Sequence, residues 1–157
     1  MHSTIAIDIG APADLVFALA HDPGRWERLL PHYARSRPVD GRAADGIVMD
    51  FVARRPFPFV AILGLGIPVT WRARTWNEPA TRRLRFVHVA GATKGMDVTW
   101  RIDPTADGCH VAIDHDFRPR FAPFAAFVDR AFTRPIASRT LATFKALAEA
   151  VAETRPR

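Results

Sequence analysis

Hydrophobic residues recur every three or four positions near the end of the chain, between residues 121 and 151. This spacing collects side chains on one face and predicts one long helix. The face consists of Phe121, Phe124, Phe127, Val128, Phe132, Ile136, Leu141, Phe144, Leu147 and Val151. Pro135 lies inside the pattern, where it removes a backbone hydrogen bond, so we expect a kink at that point.

Apolar and polar residues alternate along most of the preceding chain, which predicts β-strands. The predicted strands are residues 4–9, 34–39, 46–54, 69–77, 82–89, 96–103 and 109–118. Two short helices are predicted after the first strand, one starting at Pro12 and one running to Leu30 with Asp22 as a candidate N-cap. Short connections between the later strands favour an antiparallel meander.

Alternation also assigns an inner, apolar face to three strands. This face consists of Ile47, Met49 and Phe51, then Met96, Val98, Trp100 and Ile102, then Val111, Ile113, His115 and Phe117. For residues 69–77 and 82–89 the inward face stays open, because apolar and basic residues alternate without a clear apolar side.

Length and composition favour one globular domain, predicted over residues 1–153, with a short disordered tail at 154–157. A single cysteine excludes an internal disulfide, and we find neither a leader sequence nor an apolar run that could span a bilayer, so we expect a cytoplasmic protein. The net charge of +6 raises nucleic acid as a partner. The arginines are scattered among acidic residues, so we expect no nucleic-acid binding.

Candidate metal ligands and nucleophiles are few. His110 and His115 fall on opposite strand faces, so with Asp114 they do not form a metal site, and we expect no metal and no cofactor. Cys109 has no adjacent group that would activate it. His88 and His115 are either hydrogen-bonded core residues or proton carriers.

Residues 55–68 form the least regular connection and are rich in proline and apolar residues. Three interpretations stay open: an extension of two buried strands across a hairpin, an apolar lid over a pocket, or a surface that contacts a membrane or another subunit.

The element order resembles the helix-grip fold of the START and Bet v 1-like superfamily. Three stretches are similar to its polyketide cyclase/aromatase branch: IGAPADLVF at 9–17, DPGRWERLLPHY at 22–33 and GMDVTWRI at 95–102, together with Asp116-Phe117 before the helix. The resemblance implies an α+β fold in which a curved antiparallel sheet of about seven strands wraps around the long C-terminal helix, with two short helices after the first strand.

The resemblance also implies a ligand site in a cavity between helix and sheet. Arg74 and Tyr33 are the implied catalytic groups, and Trp26 matches a family tryptophan. Where the family has a small polar residue, this chain has Arg72, which would narrow the pocket or place a second cation in it. The remaining candidate ligand-binding residues are Met49, Phe51, Trp76, Phe86, Trp100, His115, Phe117, Phe124, Val128 and Phe132.

Three functions are compatible with these patterns and with the resemblance. The first is a polyketide cyclase/aromatase that folds and cyclises or dehydrates a poly-β-ketone, with Arg74 stabilising an oxyanion and Tyr33 donating a proton or orienting a carbonyl. The second is a non-catalytic carrier of a quinone, lipid or other hydrophobic small molecule. The third is a partner-binding module that uses residues 55–68 to contact a membrane, a polyketide synthase or a second copy; monomer and homodimer both stay open.

Overall fold

Seven antiparallel strands form one sheet in the computed structural model, which describes residues 1–43, 46–56 and 66–154. The strands are β1 His2–Ile9, β2 Tyr33–Ala43, β3 Gly46–Pro56, β4 Gly66–Glu78, β5 Arg83–Gly91, β6 Asp97–Thr105 and β7 Gly108–Asp116. Their spatial order is β1-β7-β6-β5-β4-β3-β2, so β2 to β7 form a meander and β1 closes the far edge beside β7. The predicted antiparallel meander is confirmed.

Short helices connect β1 to β2, as predicted. Helix α1 spans Ala13–Ala20, a 3-10 turn spans Pro23–Arg25, and α2 spans Trp26–Leu29. The carboxylate of Asp22 accepts a hydrogen bond from the backbone N–H of Gly24 at 2.9 Å, which satisfies a donor at the start of the turn. Leu15 and Val16 of α1 are buried.

The long C-terminal helix contains 33 residues and includes a π-helical turn. It is built from α3 Ala122–Val128, the π turn Asp129–Thr133 and α4 Arg134–Thr154. Pro135 is the second residue of α4, and the backbone N–H of Arg134 bonds to the carbonyl of Asp129, five residues back. The wider turn makes room for a proline ring that would otherwise collide with the carbonyl four residues earlier. A π turn thus lies just before the proline, and the kink expected at Pro135 stays a prediction.

Trp26 of α2 lies at the centre of the core between the sheet and the long helix. It is 3% exposed, and its indole N–H donates to the carbonyl of Ala20 at 3.0 Å. Five aromatic rings surround it at centroid distances of 5.3 to 6.1 Å, those of Tyr33, Phe51, Phe86, Trp100 and Phe144. Tilted and edge-on pairs of this kind stabilise a core by about 0.5–1.5 kcal/mol each beyond their buried area.

The structure decides which faces of β4 and β5 point inward. Ala73 and Thr75 of β4 are buried, as are Leu84 and Phe86 of β5. The inner face therefore carries Val69, Trp71, Ala73 and Thr75 from β4, and Leu84, Phe86 and His88 from β5. Ile47 shares the inner face of β3 with Met49 and Phe51, since its register partner is Thr75, but it is 37% exposed because it is the second residue of the strand.

Some predictions fall outside the described residues. The structure does not describe residues 57–65 and 155–157. The three interpretations of the 55–68 connection therefore stay predictions, as does most of the predicted tail. The strands flanking the connection run to Pro56 and from Gly66, which are register partners. Thr154 belongs to α4 rather than to a tail. Within the described ranges, no helix is long and apolar enough to cross a bilayer.

Replacing Gly108 by alanine is expected to destabilise the fold strongly. Gly108 has φ of +154°, and a Cβ there would collide with the carbonyl oxygen of Ile9 and lie 3.0 Å from the backbone nitrogen of Ala11. We expect the free energy of unfolding, measured by urea titration, to fall by about 3 kcal/mol or more. Gly95→Ala is the matched control, because its φ is +88° but no atom lies within 4 Å, so only the backbone strain of about 1–2 kcal/mol applies. Equal effects of the two substitutions would contradict this account.

Candidate functional site

A cavity of about 90 Å³ lies between the inner face of the sheet and the long helix. Most of its wall is apolar, and its aromatic members are Trp26, Tyr33, Phe51, Trp71, Phe86, Trp100 and Phe132. The other polar side chains in the wall are His88, Thr93, His115, Thr133 and Thr140. Among the described residues, no arginine, lysine, aspartate or glutamate lines this cavity. The site can therefore hold an apolar, ring-containing molecule and offer it neutral hydrogen-bonding groups.

Three stacked rings on neighbouring strands form one side of the cavity. Phe51 of β3 and Trp71 of β4 are register partners, and their rings stack at 5.2 Å with an interplanar angle of 14°. Trp71 in turn stacks on the imidazole of His88 at 5.9 Å and 15°. This arrangement gives the cavity a flat aromatic surface that ends in a hydrogen-bonding group.

His88 and His115 are the two histidines in the wall. Nδ1 of His88 is hydrogen-bonded to the hydroxyl of Thr93 at 2.6 Å. Burial lowers the pKa of His88 to about 3, with a smaller contribution from nearby His115, and burial lowers the pKa of His115 to about 4. Both imidazoles are consequently neutral at neutral pH, so each has one nitrogen that donates and one that accepts.

Two further polar residues, Ser3 and Asp129, lie next to His115 but do not line the cavity. Ser3 of β1 is the register partner of His115 on β7 and is 3% exposed. Asp129, at the start of the π turn, is close enough to oppose the lowering of the His115 pKa, and its Oδ2 accepts a hydrogen bond from Arg134 at 2.7 Å. Ser3 Oγ, His115 Nδ1 and Asp129 Oδ1 are each buried without a hydrogen-bond partner. Unsatisfied buried groups are costly, and His115 belongs to the cavity wall, so its imidazole favours a ligand with a polar group at this position.

Tyr33 belongs to a second buried network with His32 and Thr140. The Thr140 hydroxyl donates to the carbonyl of Ile136 at 2.8 Å, so it accepts from Nε2–H of His32 at 2.8 Å. Burial lowers the pKa of His32 to about 4, and the nearby Arg139 lowers it further. Burial also raises the pKa of Tyr33, and a hydrogen bond with Thr140 offsets this only in part. Tyr33 therefore stays a protonated phenol that can donate a hydrogen bond but does not act as a base.

The structure brings seven of the predicted site residues into the cavity wall, namely Trp26, Tyr33, Phe51, Phe86, Trp100, His115 and Phe132. Four others lie in the surrounding core rather than in the wall. Met49, Phe117 and Val128 are buried, and half-buried Phe124 packs edge-on against Phe117 at 6.3 Å.

Three predicted site residues do not face the cavity. Arg72, Arg74 and Trp76 alternate along β4 with the inward residues and therefore lie on the outer face of the sheet. Arg72 is bound there by the carboxylate of Asp50 at 2.6 Å, and the guanidinium of Arg74 lies 5.6 Å from the ring of Trp76. These placements correct the prediction that Arg74 acts in the pocket and that Arg72 supplies a second cation.

Several wall residues were not selected from the sequence. Trp71 and His88 lie on the two strands whose inward face was left open. A signal for β4 existed in the sequence: arginine is almost never fully buried, so the face that carries Arg72 and Arg74 should point outward and the face of Trp71 inward. Thr133 and Thr140 lie seven residues apart on the apolar face of the long helix, where a polar residue is unexpected. No pattern in the sequence marks Thr93, which lies in the β5–β6 hairpin.

The part of the chain that the structure describes contains neither a metal-binding cluster nor an activated thiol. No group of three or more histidine, cysteine, aspartate or glutamate side chains there is arranged to hold a metal ion. Cys109 is buried, and burial raises the pKa of its thiol, which makes it a poorer nucleophile.

The sequence matches the family described as "Polyketide cyclase / dehydrase and lipid transport" over residues 1–149. The chain therefore belongs to this family, and the predicted family resemblance is confirmed. Among curated protein sequences, none matches this chain.

Similar solved structures support the same fold. The Zhui aromatase/cyclase from a Streptomyces species has a TM-score of 0.76 at 18% identity, covering 95% of this chain and 93% of that one. The di-domain aromatase/cyclase BexL has a TM-score of 0.71 at 25% identity over 99% of this chain, which spans 48% of BexL. A START superfamily protein from Mycobacterium smegmatis has a TM-score of 0.61 at 12% identity, covering 97% of both chains. The predicted helix-grip fold is thus confirmed.

Acidification is expected to destabilise the protein before its carboxylates titrate. The unfolded histidines have pKa values near 6.5, whereas the folded values of His32, His88 and His115 are about 4, 3 and 4. Between these values the unfolded state binds more protons than the folded state. The free energy of unfolding therefore decreases as the pH is lowered, by about 1.4 kcal/mol per pH unit for each histidine.

Each of the variants His32→Asn, His88→Asn and His115→Asn should reduce this slope by about one third, as measured by urea unfolding at several pH values between 6.5 and 5, above the range in which carboxylates titrate. The slope is the informative quantity, since the substitutions also change stability at all pH values. A wild-type protein whose stability is independent of pH in this interval would contradict the burial of three neutral imidazoles.

Proposed function

We propose that this protein binds an aromatic or poly-β-ketone molecule in the cavity and promotes its cyclisation and dehydration. The observation that carries the proposal is the combination of an aromatic wall with neutral hydrogen-bonding groups from Tyr33, His88 and His115. Membership of a cyclase and dehydrase family supports it, as does the similarity to aromatase/cyclases.

Ring closure of a poly-β-ketone needs an enolate next to an electrophilic carbonyl, followed by loss of water. The protonated phenol of Tyr33 is suited to donate a hydrogen bond to the carbonyl oxygen as negative charge develops on it, in exchange for its hydrogen bond with Thr140. His88 and His115 are weak bases because they are buried, but the enolate that forms as a proton leaves carbon would favour the imidazolium form and raise their pKa values. They could then accept a proton from carbon and return it to the departing hydroxyl.

Folding of the substrate chain is the other contribution. The stacked surface of Phe51 and Trp71 holds a ring flat, and a water-poor cavity brings the reacting carbons together. The cavity volume of about 90 Å³ is below the 300–1,000 Å³ typical of ligand pockets, so a ligand must displace side chains to enter.

A carrier of a quinone, lipid or other hydrophobic small molecule is the second candidate function. The observation that favours it is the uncharged wall, because an enolate would have no cationic side chain beside it among the described residues. The two functions share the binding step and differ in whether Tyr33 and the histidines change the rate of a reaction.

Filling the cavity is expected to abolish binding of a small aromatic probe. Ala137 of α4 lines the cavity and is 6% exposed, so Ala137→Phe would occupy the space. We expect quenching of tryptophan fluorescence by 2-naphthol to be lost in this variant, because Trp26, Trp71 and Trp100 line the same space. Ala142→Phe is the matched control, since Ala142 lies in the same helix but is exposed to solvent. Equal binding by the two variants would place the probe elsewhere.

The catalytic proposal is tested with a reconstituted polyketide synthase that releases an uncyclised poly-β-ketone. Tyr33→Phe and His115→Asn are each expected to reduce the yield of the cyclised aromatic product by about 100-fold, as measured by liquid chromatography and mass spectrometry. Arg74→Ala should leave the product pattern unchanged, because Arg74 lies on the outer face. If the wild-type protein binds 2-naphthol but does not alter the product pattern, the carrier function is favoured.

A further inference from the structure

A second concave surface, which we call the arginine groove, lies outside the cavity and is much larger, at about 1,290 Å³. It runs beside α3 and the π turn, and the ends of β3 and β4 border it through Arg55 and Ile67. Phe132 lines both the groove and the cavity. Its ring lies 5.9 Å from the guanidinium carbon of Arg55 and 5.7 Å, edge-on, from the ring of Phe127. The side chain of Phe132 therefore separates the groove from the cavity.

Exposed apolar side chains are concentrated around this groove. Among the described residues, the three most exposed large hydrophobic side chains are Phe121 at 67%, Phe127 at 57% and Ile67 at 44%. Phe127 and Ile67 line the groove, and Phe121 precedes Ala122, which also lines it. Single exposed apolar residues are ordinary, but three around one concave surface form a patch that is typical of an interaction site.

The same surface carries an excess of positive charge. Arg118, Arg130 and Arg134 line the groove, Arg120 follows Pro119 at its border, and all four are exposed. Arg118 pairs with Asp116 at 3.3 Å and Arg134 pairs with Asp129 at 2.7 Å. In the described part of the chain, Arg120 and Arg130 make no ion pair, so their charges are available to an anionic partner.

We infer that the arginine groove docks on an anionic lipid surface, with Phe121 and Phe127 entering the interfacial layer and Arg120 and Arg130 meeting the headgroups. Apolar rings beside free cations are the composition that binds such interfaces, and a bilayer accepts protruding rings without a complementary shape. The inference rests on the proposed binding of a hydrophobic ligand, because such a ligand dissolves in a bilayer and the groove adjoins the cavity through Phe132.

Co-sedimentation with vesicles tests this inference on the full chain without any ligand. The wild-type protein should bind vesicles of phosphatidylcholine mixed with phosphatidylglycerol, bind pure phosphatidylcholine at least tenfold more weakly, and lose affinity for the mixed vesicles as salt is raised. Arg120→Glu/Arg130→Glu and Phe121→Ser/Phe127→Ser should each reduce binding at least tenfold.

Matched controls exist for both double variants. Arg25→Glu/Arg28→Glu changes the net charge equally at exposed positions of the short helices, outside the groove. Ile47→Ser/Val89→Ser removes two large hydrophobic side chains that are 37% and 38% exposed and do not line the groove. Both controls should bind mixed vesicles like the wild type.

The possible results test lipid docking by the arginine groove separately from ligand binding in the cavity. A wild-type protein that binds 2-naphthol but not the mixed vesicles overturns the inference and leaves the cavity function standing. Equal losses in the groove variants and their controls also overturn it, because binding would then depend only on total charge or apolarity. Circular dichroism checks the fold of each variant, and the salt dependence of the wild type tests the inference without any substitution.

Discussion

The position of the Trp26 indole is the constraint on which the rest of the structure depends. Its ring contacts side chains from four strands and from α4, while its N–H is satisfied by the carbonyl of Ala20. A short helix of only four residues thus connects both layers of the fold. Because Trp26 also lines the cavity, the core and the candidate ligand site share one aromatic surface. Any ligand that enters must replace contacts that hold the protein together, which ties binding to stability.

Charge is sorted between the inside and the outside of the sheet. Burying an unpaired charge is expensive, and the cavity accordingly contains histidines that stay neutral and a tyrosine that stays protonated. The cations are placed where water or a carboxylate can solvate them, as with Arg72 beside Asp50 on the outer face. Among the described residues, the cavity therefore offers neutral donors and acceptors only, whereas the cations lie on the exterior, including around the arginine groove.

The sequence predicted the fold better than the site, for a physical reason. Period-two and period-3.6 patterns report which residues face the core, and they located the seven strands, the short helices and the long helix within a few residues. These patterns do not show which face of a strand points inward when both faces carry large side chains, as on β4. On β4 the prediction that Arg74 faces the pocket came from the family resemblance. That prediction was wrong, because Ala73 and Thr75 face inward and alternation along the strand turns Arg74 to the outer face. Contacts between distant segments, such as Ser3 with His115, leave no local signal at all.

The π turn at Asp129–Thr133 has a consequence for how this helix is compared with others. A hydrogen bond that spans five residues instead of four accommodates one additional residue, which rotates everything before it by about 100° relative to α4. The two halves of the long helix are therefore out of phase. A homologous chain with an unbroken α-helix should be one residue shorter here, and aligning the two without a gap would assign Phe121 and Phe127 to the wrong side of the helix.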